Sequence, residues 1–131
     1  MKCRSKFMML EFFSCDFEAS DADLRIGFSD GEEGEHYFVM ERDEDYMKKT
    51  LPNTESIYIE LDDQCWGRNG GINSVSLSSK NFAIHLNSSI LLRGYKGILI
   101  TFSLEDSDVE MLRNVLQKIM QGYEDRLNLI D

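Results

Sequence analysis

The sequence predicts an α+β fold in which a curved, mostly antiparallel β-sheet has a C-terminal α-helix packed on one face. Apolar residues alternate with polar residues in several short segments, which is the pattern of a half-buried strand. Apolar residues recur at helical spacing in one longer segment near the end of the chain. One helix cannot supply the crossover connections of a parallel sheet, so the strands are expected to be mostly antiparallel.

The first half of the chain contains three clearly patterned strands. Residues 24–29 alternate between apolar and polar side chains, residues 37–40 form a compact apolar run, and Asp30-Gly31 between them is typical of a turn. Residues 57–62 alternate again, which predicts a strand with one apolar face. The opposite face of this strand carries a hydroxyl group and two carboxylates, from Tyr58, Glu60 and Asp62.

The second half of the chain begins with a glycine-rich segment, residues 67–71, which predicts a loop. Residues 75–77 and 82–86 then alternate between apolar and polar side chains, as the two strands of a hairpin do. Residues 88–95 are expected to include a short helical turn, and residues 98–102 form a more deeply buried strand.

The C-terminal segment has the period of a helix. Ser107 and Glu110 have the spacing of a capping box, in which a hydroxyl and a carboxylate bond the first free backbone amides. Gly122 is a plausible stop, so a helix over residues 107–121 is predicted. Its apolar stripe consists of Val109, Leu112, Leu116, Ile119 and Met120.

The charge balance restricts the class of partner. The 131 residues include 24 acidic and 14 basic side chains, giving a formal net charge of −10. No repeat or linker divides the chain, so a single domain over residues 1–131 is expected. A nucleic acid or an anionic membrane surface would be repelled by this charge, whereas a basic protein would be attracted.

Cysteine usage and hydropathy bear on the compartment. Cys3, Cys15 and Cys65 are odd in number and are scattered, which fits a reducing cytoplasm better than a disulfide framework. The start of the chain has basic residues before an apolar stretch, as in a lipoprotein signal, but Glu11 interrupts that stretch. No run approaches the roughly 20 apolar residues of a membrane-spanning helix.

The chemistry-bearing residues do not form a recognisable catalytic set. His36 and His85 stand alone, without the spacing of a metal site, and both are expected to be exposed. Glu60, Asp62 and Asp63 could together hold a divalent cation, which makes a metal-dependent hydrolase an alternative. Carboxylates on an exposed strand are more often a solvated surface, so no catalytic residue, metal ligand or cofactor is assigned.

Acidic residues cluster within residues 32–35, 41–45 and 60–63, at or beyond the ends of predicted strands. If the clusters converge, their summed field would steer a basic partner toward the protein. Tyr58 and Trp66 lie near the third cluster, and an aromatic anchor bordered by carboxylates is typical of a binding hot spot.

The stretch Glu-Leu-Asp-Asp-Gln at residues 60–64, with the following Gly70-Gly71 and the strand at residues 82–86, resembles the immunity protein 10 family of bacterial polymorphic toxin systems. The resemblance implies a non-catalytic protein that binds a cognate toxin and protects the cell that makes it. It fits the acidic charge, which suits a basic toxin such as a nuclease. The candidate partner-binding residues are Tyr58, Glu60, Asp62, Asp63, Gln64 and Trp66.

A second hypothesis is a non-catalytic accessory or assembly subunit, in which the acidic residues only keep the protein soluble. The oligomeric state and the identity of the toxin stay open.

Overall fold

A computed structural model describes residues 9–31, 34–43 and 51–130. Within these ranges ten strands form two five-stranded sheets, and one α-helix precedes the last strand. The α+β class and the mostly antiparallel pairing are therefore confirmed. The elements are β1 (Met9–Ser14), β2 (Asp16–Ser20), β3 (Arg25–Ser29), β4 (Tyr37–Arg42), β5 (Ile57–Leu61), β6 (Gly67–Asn69), β7 (Ile72–Leu77), β8 (Asn81–Leu86), β9 (Gly97–Phe102), α1 (Asp106–Ile119) and β10 (Leu127–Leu129).

The strands are divided between two sheets, whereas one curved sheet was expected. The first, the meander sheet, has the order β2-β3-β4-β5-β6, and every neighbouring pair is antiparallel. The second, the mixed sheet, has the order β1-β9-β8-β7-β10. Its two outermost pairs, β1 with β9 and β10 with β7, are parallel and join distant parts of the chain. The chain passes from one sheet to the other at Cys15, between β1 and β2.

The inner faces of the two sheets pack against each other. Phe28 of the meander sheet lies 5.2 Å from Phe82 and 5.9 Å from Phe102 of the mixed sheet, measured between ring centroids. Phe38 and Phe82 are 5.7 Å apart in the same way. The apolar positions of the alternating patterns therefore meet in one shared core.

Helix α1 buries its apolar stripe in this core and contacts β2 and β3 of the meander sheet. The predicted capping box is wrong, because the helix begins at Asp106 and its N-cap, Glu105, makes no side-chain capping bond. Asp106 and Asp108 instead place negative charge in the first turn, where the helix dipole favours it.

A buried arginine connects β4 to the end of α1. Arg42 is 2% exposed, and its Nη1 donates to the carbonyl oxygens of Ile119 at 2.8 Å and Gln121 at 2.5 Å. Its guanidinium lies over the Tyr123 ring, 5.3 Å from the centroid. Burial lowers the pKa of Arg42. The side chain stabilises carbonyls that a helix terminus leaves without intrahelical partners.

Two loop predictions need correction. Gly67 belongs to the edge strand β6, and the turn proper is made by Gly70 and Gly71, which have φ values of 78° and 88°. Residues 88–95 end in a tight hairpin turn, because Arg93 and Gly94 have φ values of 52° and 87° and the backbones of Leu92 and Tyr95 exchange two hydrogen bonds.

Candidate functional site

The outer surface of the meander sheet gathers acidic side chains from three strands, β2, β4 and β5. Because paired residues of antiparallel strands point to the same side, Glu18, Gly27, Val39 and Glu60 form one row across the sheet. We call this surface the acidic face. The row on one side consists of Asp16, Ser29 and Tyr37. The row on the other side consists of Ser20, Arg25, Glu41 and Tyr58.

Glu60 is held at the centre of the acidic face by two tyrosines. Tyr37 donates its hydroxyl to Oε2 of Glu60 at 2.5 Å, and Tyr58 donates to Oε1 at 2.6 Å. The hydrogen bond to Glu60, together with burial, raises the pKa of Tyr58 to about 12. Burial and the same kind of hydrogen bond raise the pKa of Tyr37 further. The two hydroxyls therefore stay protonated and orient the carboxylate.

Gly67 makes room for this arrangement. Gly67 is paired with Glu60, and a Cβ atom at this position would lie 1.9 Å from the hydroxyl oxygen of Tyr58. A side chain here would displace Tyr58 from Glu60. Gly67, which was predicted to lie in a loop, therefore lies on an edge strand, where its lack of a side chain allows Tyr58 to pack closely.

Arg25 is the basic residue of the acidic face. Its Nε donates to Oε1 of Glu18 at 2.8 Å and its Nη1 donates to Oε1 of Glu41 at 2.9 Å. The hydrogen bond to Glu18 raises the pKa of Arg25. One guanidinium thus offsets part of the charge of Asp16, Glu18, Glu41 and Glu60, and the face keeps a negative balance.

The acidic face is concave around Gly27. A cavity of about 420 Å³ opens there, and Gly27, which has no side chain, lies among the residues that line it. Its other principal lining residues are Asp16, Glu18, Arg25, Tyr37, Val39 and Glu60.

Asp62 has a different environment from Glu60, although both follow the polar phase of β5. Its φ of 66° is in the left-handed region, so the extended backbone of β5 ends before this residue. Its side chain is only 6% exposed. The carboxylate accepts hydrogen bonds from Nδ1 of His36 at 3.0 Å, from the backbone N–H of Tyr37 at 3.0 Å, and from Nη1 of Arg93. Asp62 is therefore occupied by contacts within the protein.

His36 has partners that the sequence did not reveal. Besides its bond to Asp62, its ring stacks on Phe12 of β1 with 5.6 Å between centroids. It is half-buried, so the expectation of an exposed His36 is wrong. His85, by contrast, is exposed on β8 as expected. Phe12 lies on β1 of the mixed sheet, Arg93 lies in the turn before β9, and Asp62 follows β5 of the meander sheet. The cluster of His36, Asp62, Phe12 and Arg93 therefore joins the two sheets.

The remaining candidates lie in an exposed turn beside the sheet edge. Asp63 accepts a hydrogen bond from the backbone N–H of Cys65 at 3.0 Å, which lowers the pKa of Asp63. Gln64 is exposed, and Trp66 is 44% exposed just before β6. Of the six candidates, Tyr58 and Glu60 lie together on the acidic face, while Asp63, Gln64 and Trp66 lie near the edge of the same sheet.

The acidic clusters converge in part. Glu41 joins Glu60 on the acidic face, and Glu35 and Asp43 are exposed in the adjoining segments.

The sequence did not identify four residues of this site: Glu18, Arg25, Gly27 and Tyr37. The polar phase of residues 25–29 was the one signal that pointed to Arg25 and Gly27. Within the described part of the chain, no group of three His, Cys, Asp or Glu residues could hold a metal ion. Cys3, Glu32, Glu33, Glu44 and Asp45 lie outside the described residues.

The outer surface of the mixed sheet, which we call the neutral face, is almost free of charge. Glu11, Leu99, Ala83, Ser76 and Asn128 form its central row. In the described rows, only Glu11 carries a carboxylate. Beside this row lie Phe13, which is 51% exposed, Asn81, Thr101, Ser74 and His85.

Comparisons with protein-family models, curated proteins and solved structures gave no match to this chain. In the described ranges, no helix is long and apolar enough to cross a membrane.

Proposed function

We propose that the protein is a non-catalytic immunity protein of the cytoplasm, which binds and neutralises a cognate bacterial toxin through the acidic face. The observation that carries the proposal is the placement of Asp16, Glu18, Glu41 and Glu60 on one surface, with Arg25 as the basic residue among them. A basic toxin, such as a nuclease whose cleft binds phosphate, is complementary to this charge. The partner class itself comes from the resemblance at residues 60–64.

The hydrogen bonds of the acidic face favour binding because they restrict its side chains before the partner arrives. Glu60 is held by two tyrosine hydroxyls, and Arg25 is held by two glutamates. Side chains that are already ordered lose less conformational entropy on association. Tyr58 on this face and the exposed Trp66 at its edge are the residue types that most often anchor an interface.

The test begins with the gene beside this one. Its product, expressed alone, is expected to stop growth, and co-expression of this protein is expected to restore growth. With both proteins purified, the association rate should fall steeply as salt rises, because the screening length falls from about 30 Å at 0.01 M salt to about 8 Å at 0.15 M. A harmless neighbouring product, or an association rate indifferent to salt, would contradict the proposal.

The neutral face favours the second candidate, an accessory or assembly subunit. An uncharged surface with an exposed Phe13 suits a stable contact with another protein better than a charged surface does. Such a contact would survive removal of charge from the acidic face, whereas toxin binding would not. The metal-hydrolase hypothesis is tested separately, since a native metal site must raise the melting temperature when Mg²⁺ or Mn²⁺ is added.

A further inference from the structure

The cavity over Gly27 has the dimensions of a site for one side chain of a partner. Its volume of about 420 Å³ falls within the range of roughly 300–1,000 Å³ that is typical of small-ligand pockets. Gly27 forms part of its lining in the middle of the row Glu18, Gly27, Val39, Glu60. A Cβ atom at this position would approach the Glu18 side chain to 3.1 Å, so the glycine leaves room both for Glu18 and for the adjoining cavity.

The lining of the cavity is suited to a cation. Asp16, Glu18 and Glu60 contribute three carboxylates, against the single guanidinium of Arg25. Each oxygen of Glu60 accepts one tyrosine hydroxyl, and a carboxylate oxygen has a second lone pair that can accept another donor. The tyrosines therefore position Glu60 without using all of its accepting capacity.

Two features favour a guanidinium over an ammonium group. The face already holds one guanidinium between carboxylates, since Arg25 bonds Glu18 and Glu41 at 2.8 and 2.9 Å. The Tyr37 side chain, whose hydroxyl bonds Glu60, also lines the cavity. A planar guanidinium can stack on an aromatic ring while its N–H groups bond nearby carboxylates, and a lysine ammonium cannot match that geometry.

From these observations we propose that the cavity over Gly27 receives an arginine side chain of the basic partner protein. The inference rests on the proposed function for the existence of that partner, but the cavity can be tested without it. The arginine would enter between Glu18 and Glu60, with Tyr37 at its side, and would act as the central anchor of the interface.

The first experiment uses small probes on the wild-type protein. N-acetyl-arginine amide is titrated while backbone amide signals are followed by NMR, with N-acetyl-citrulline amide as the neutral analogue and N-acetyl-lysine amide as the competing cation. The arginine probe is expected to shift the signals of Gly27, Glu18 and Tyr37 in a saturable way, and at least threefold more tightly than the lysine probe. Equal binding of the citrulline probe, tighter binding of the lysine probe, or shifts spread over the whole acidic surface would overturn the assignment.

The second experiment fills the cavity without changing a charge. A Cβ atom at Gly27 would lie 3.1 Å from Oε1 and 3.2 Å from Cγ of Glu18, so Gly27→Val requires the flexible Glu18 side chain to move by a few tenths of an ångström, while a β-branched residue itself suits a strand. This variant is expected to lose the saturable shifts and to bind the neighbouring gene product at least tenfold more weakly. Ser76→Val, on the central row of the neutral face, is the matched control and is expected to keep both.

The two experiments separate the inference from the proposed function. If the arginine probe binds the cavity but the neighbouring product is neither toxic nor bound, the proposed function fails and the arginine site stands. If the product is neutralised equally well by wild type and by a folded Gly27→Val variant, the arginine site is wrong and the proposed function stands.

Discussion

The outer faces of the two sheets differ in charge, although their inner faces are built alike. Both inner faces supply phenylalanine and aliphatic side chains to one core. Outside, the acidic face carries Asp16, Glu18, Glu41 and Glu60, whereas the central row of the neutral face carries Glu11 alone. The apolar inner faces supply the core, and the neutral face demonstrates that a sheet of this protein forms without such a set of carboxylates on its outer side. The charge of the acidic face therefore calls for an explanation outside folding.

The largest expected effect concerns Asp62, which separates a structural carboxylate from the acidic face. We expect Asp62→Asn to lower the free energy of unfolding by about 2 kcal/mol, because a nearly buried carboxylate loses its charge-assisted bonds to Arg93 and His36. Asparagine tolerates the positive φ of this position, so backbone strain does not confuse the result. Urea denaturation measures the change.

The neighbouring carboxylate is the control for this variant. Asp63 is exposed and bonds only within its own turn, so Asp63→Asn should destabilise the protein less than Asp62→Asn. Equal stability losses in the two variants would mean that the cluster joining the two sheets contributes no more to stability than the exposed turn of Asp63.

The next prediction compares one carboxylate on each face. Glu60→Gln, at the centre of the acidic face, is expected to weaken binding of the neighbouring gene product about tenfold, or about 1.4 kcal/mol. Glu11→Gln removes the same charge from the neutral face and is expected to leave affinity unchanged. Surface plasmon resonance on both variants, with melting temperatures as a check on folding, makes the comparison. If the two variants lose affinity equally, net charge and not a particular face drives association.

The last effect appears only above pH 10, and it comes from the tyrosines that hold Glu60. The pKa of Tyr58 is about 12 in the folded protein and about 10 in an unfolded chain. Above pH 10 the unfolded chain releases this proton while the folded protein keeps it, so stability falls as pH rises from 10 to 12. Tyr58→Phe should make that fall shallower, and the near-ultraviolet absorbance of tyrosinate should show one fewer late-titrating group. An unchanged titration curve would show that Glu60 does not hold the Tyr58 proton.

Side-chain alternation predicted the faces of single strands because it is a local property. Ile57, Ile59 and Leu61 are buried as expected, and Tyr58 and Glu60 share the opposite face. The division into two sheets was not predictable in this way, since it depends on β1 pairing with β9 and β10 pairing with β7. No local pattern records which distant strand becomes a neighbour.

The site was predicted in part for the same reason. Asp62 follows the alternation of β5, yet its left-handed backbone turns it toward His36 and Arg93 from other parts of the chain. Gly27 carries no side chain, so its importance appears only when its cross-strand neighbours Glu18 and Val39 are known. Chemistry located on one strand can be predicted from the sequence, whereas a site assembled from four strands requires the register.

The hydrogen bonds of Arg42 make the folding of an early part of the chain depend on a part that is synthesised late. The ribosome completes β2 to β5 early, but the carbonyls that accept hydrogen bonds from Arg42 belong to Ile119 and Gln121, which are synthesised late. Strand β1 likewise cannot pair until β9 has been synthesised. A nascent chain that stops before α1 has the carboxylates of the acidic face but lacks the carbonyls of Ile119 and Gln121 and the core residues of α1. Such fragments are expected to be substrates for chaperones and proteases. The acidic face is then presented by a folded domain only after residues 119–121 have been synthesised, with a delay after translation starts.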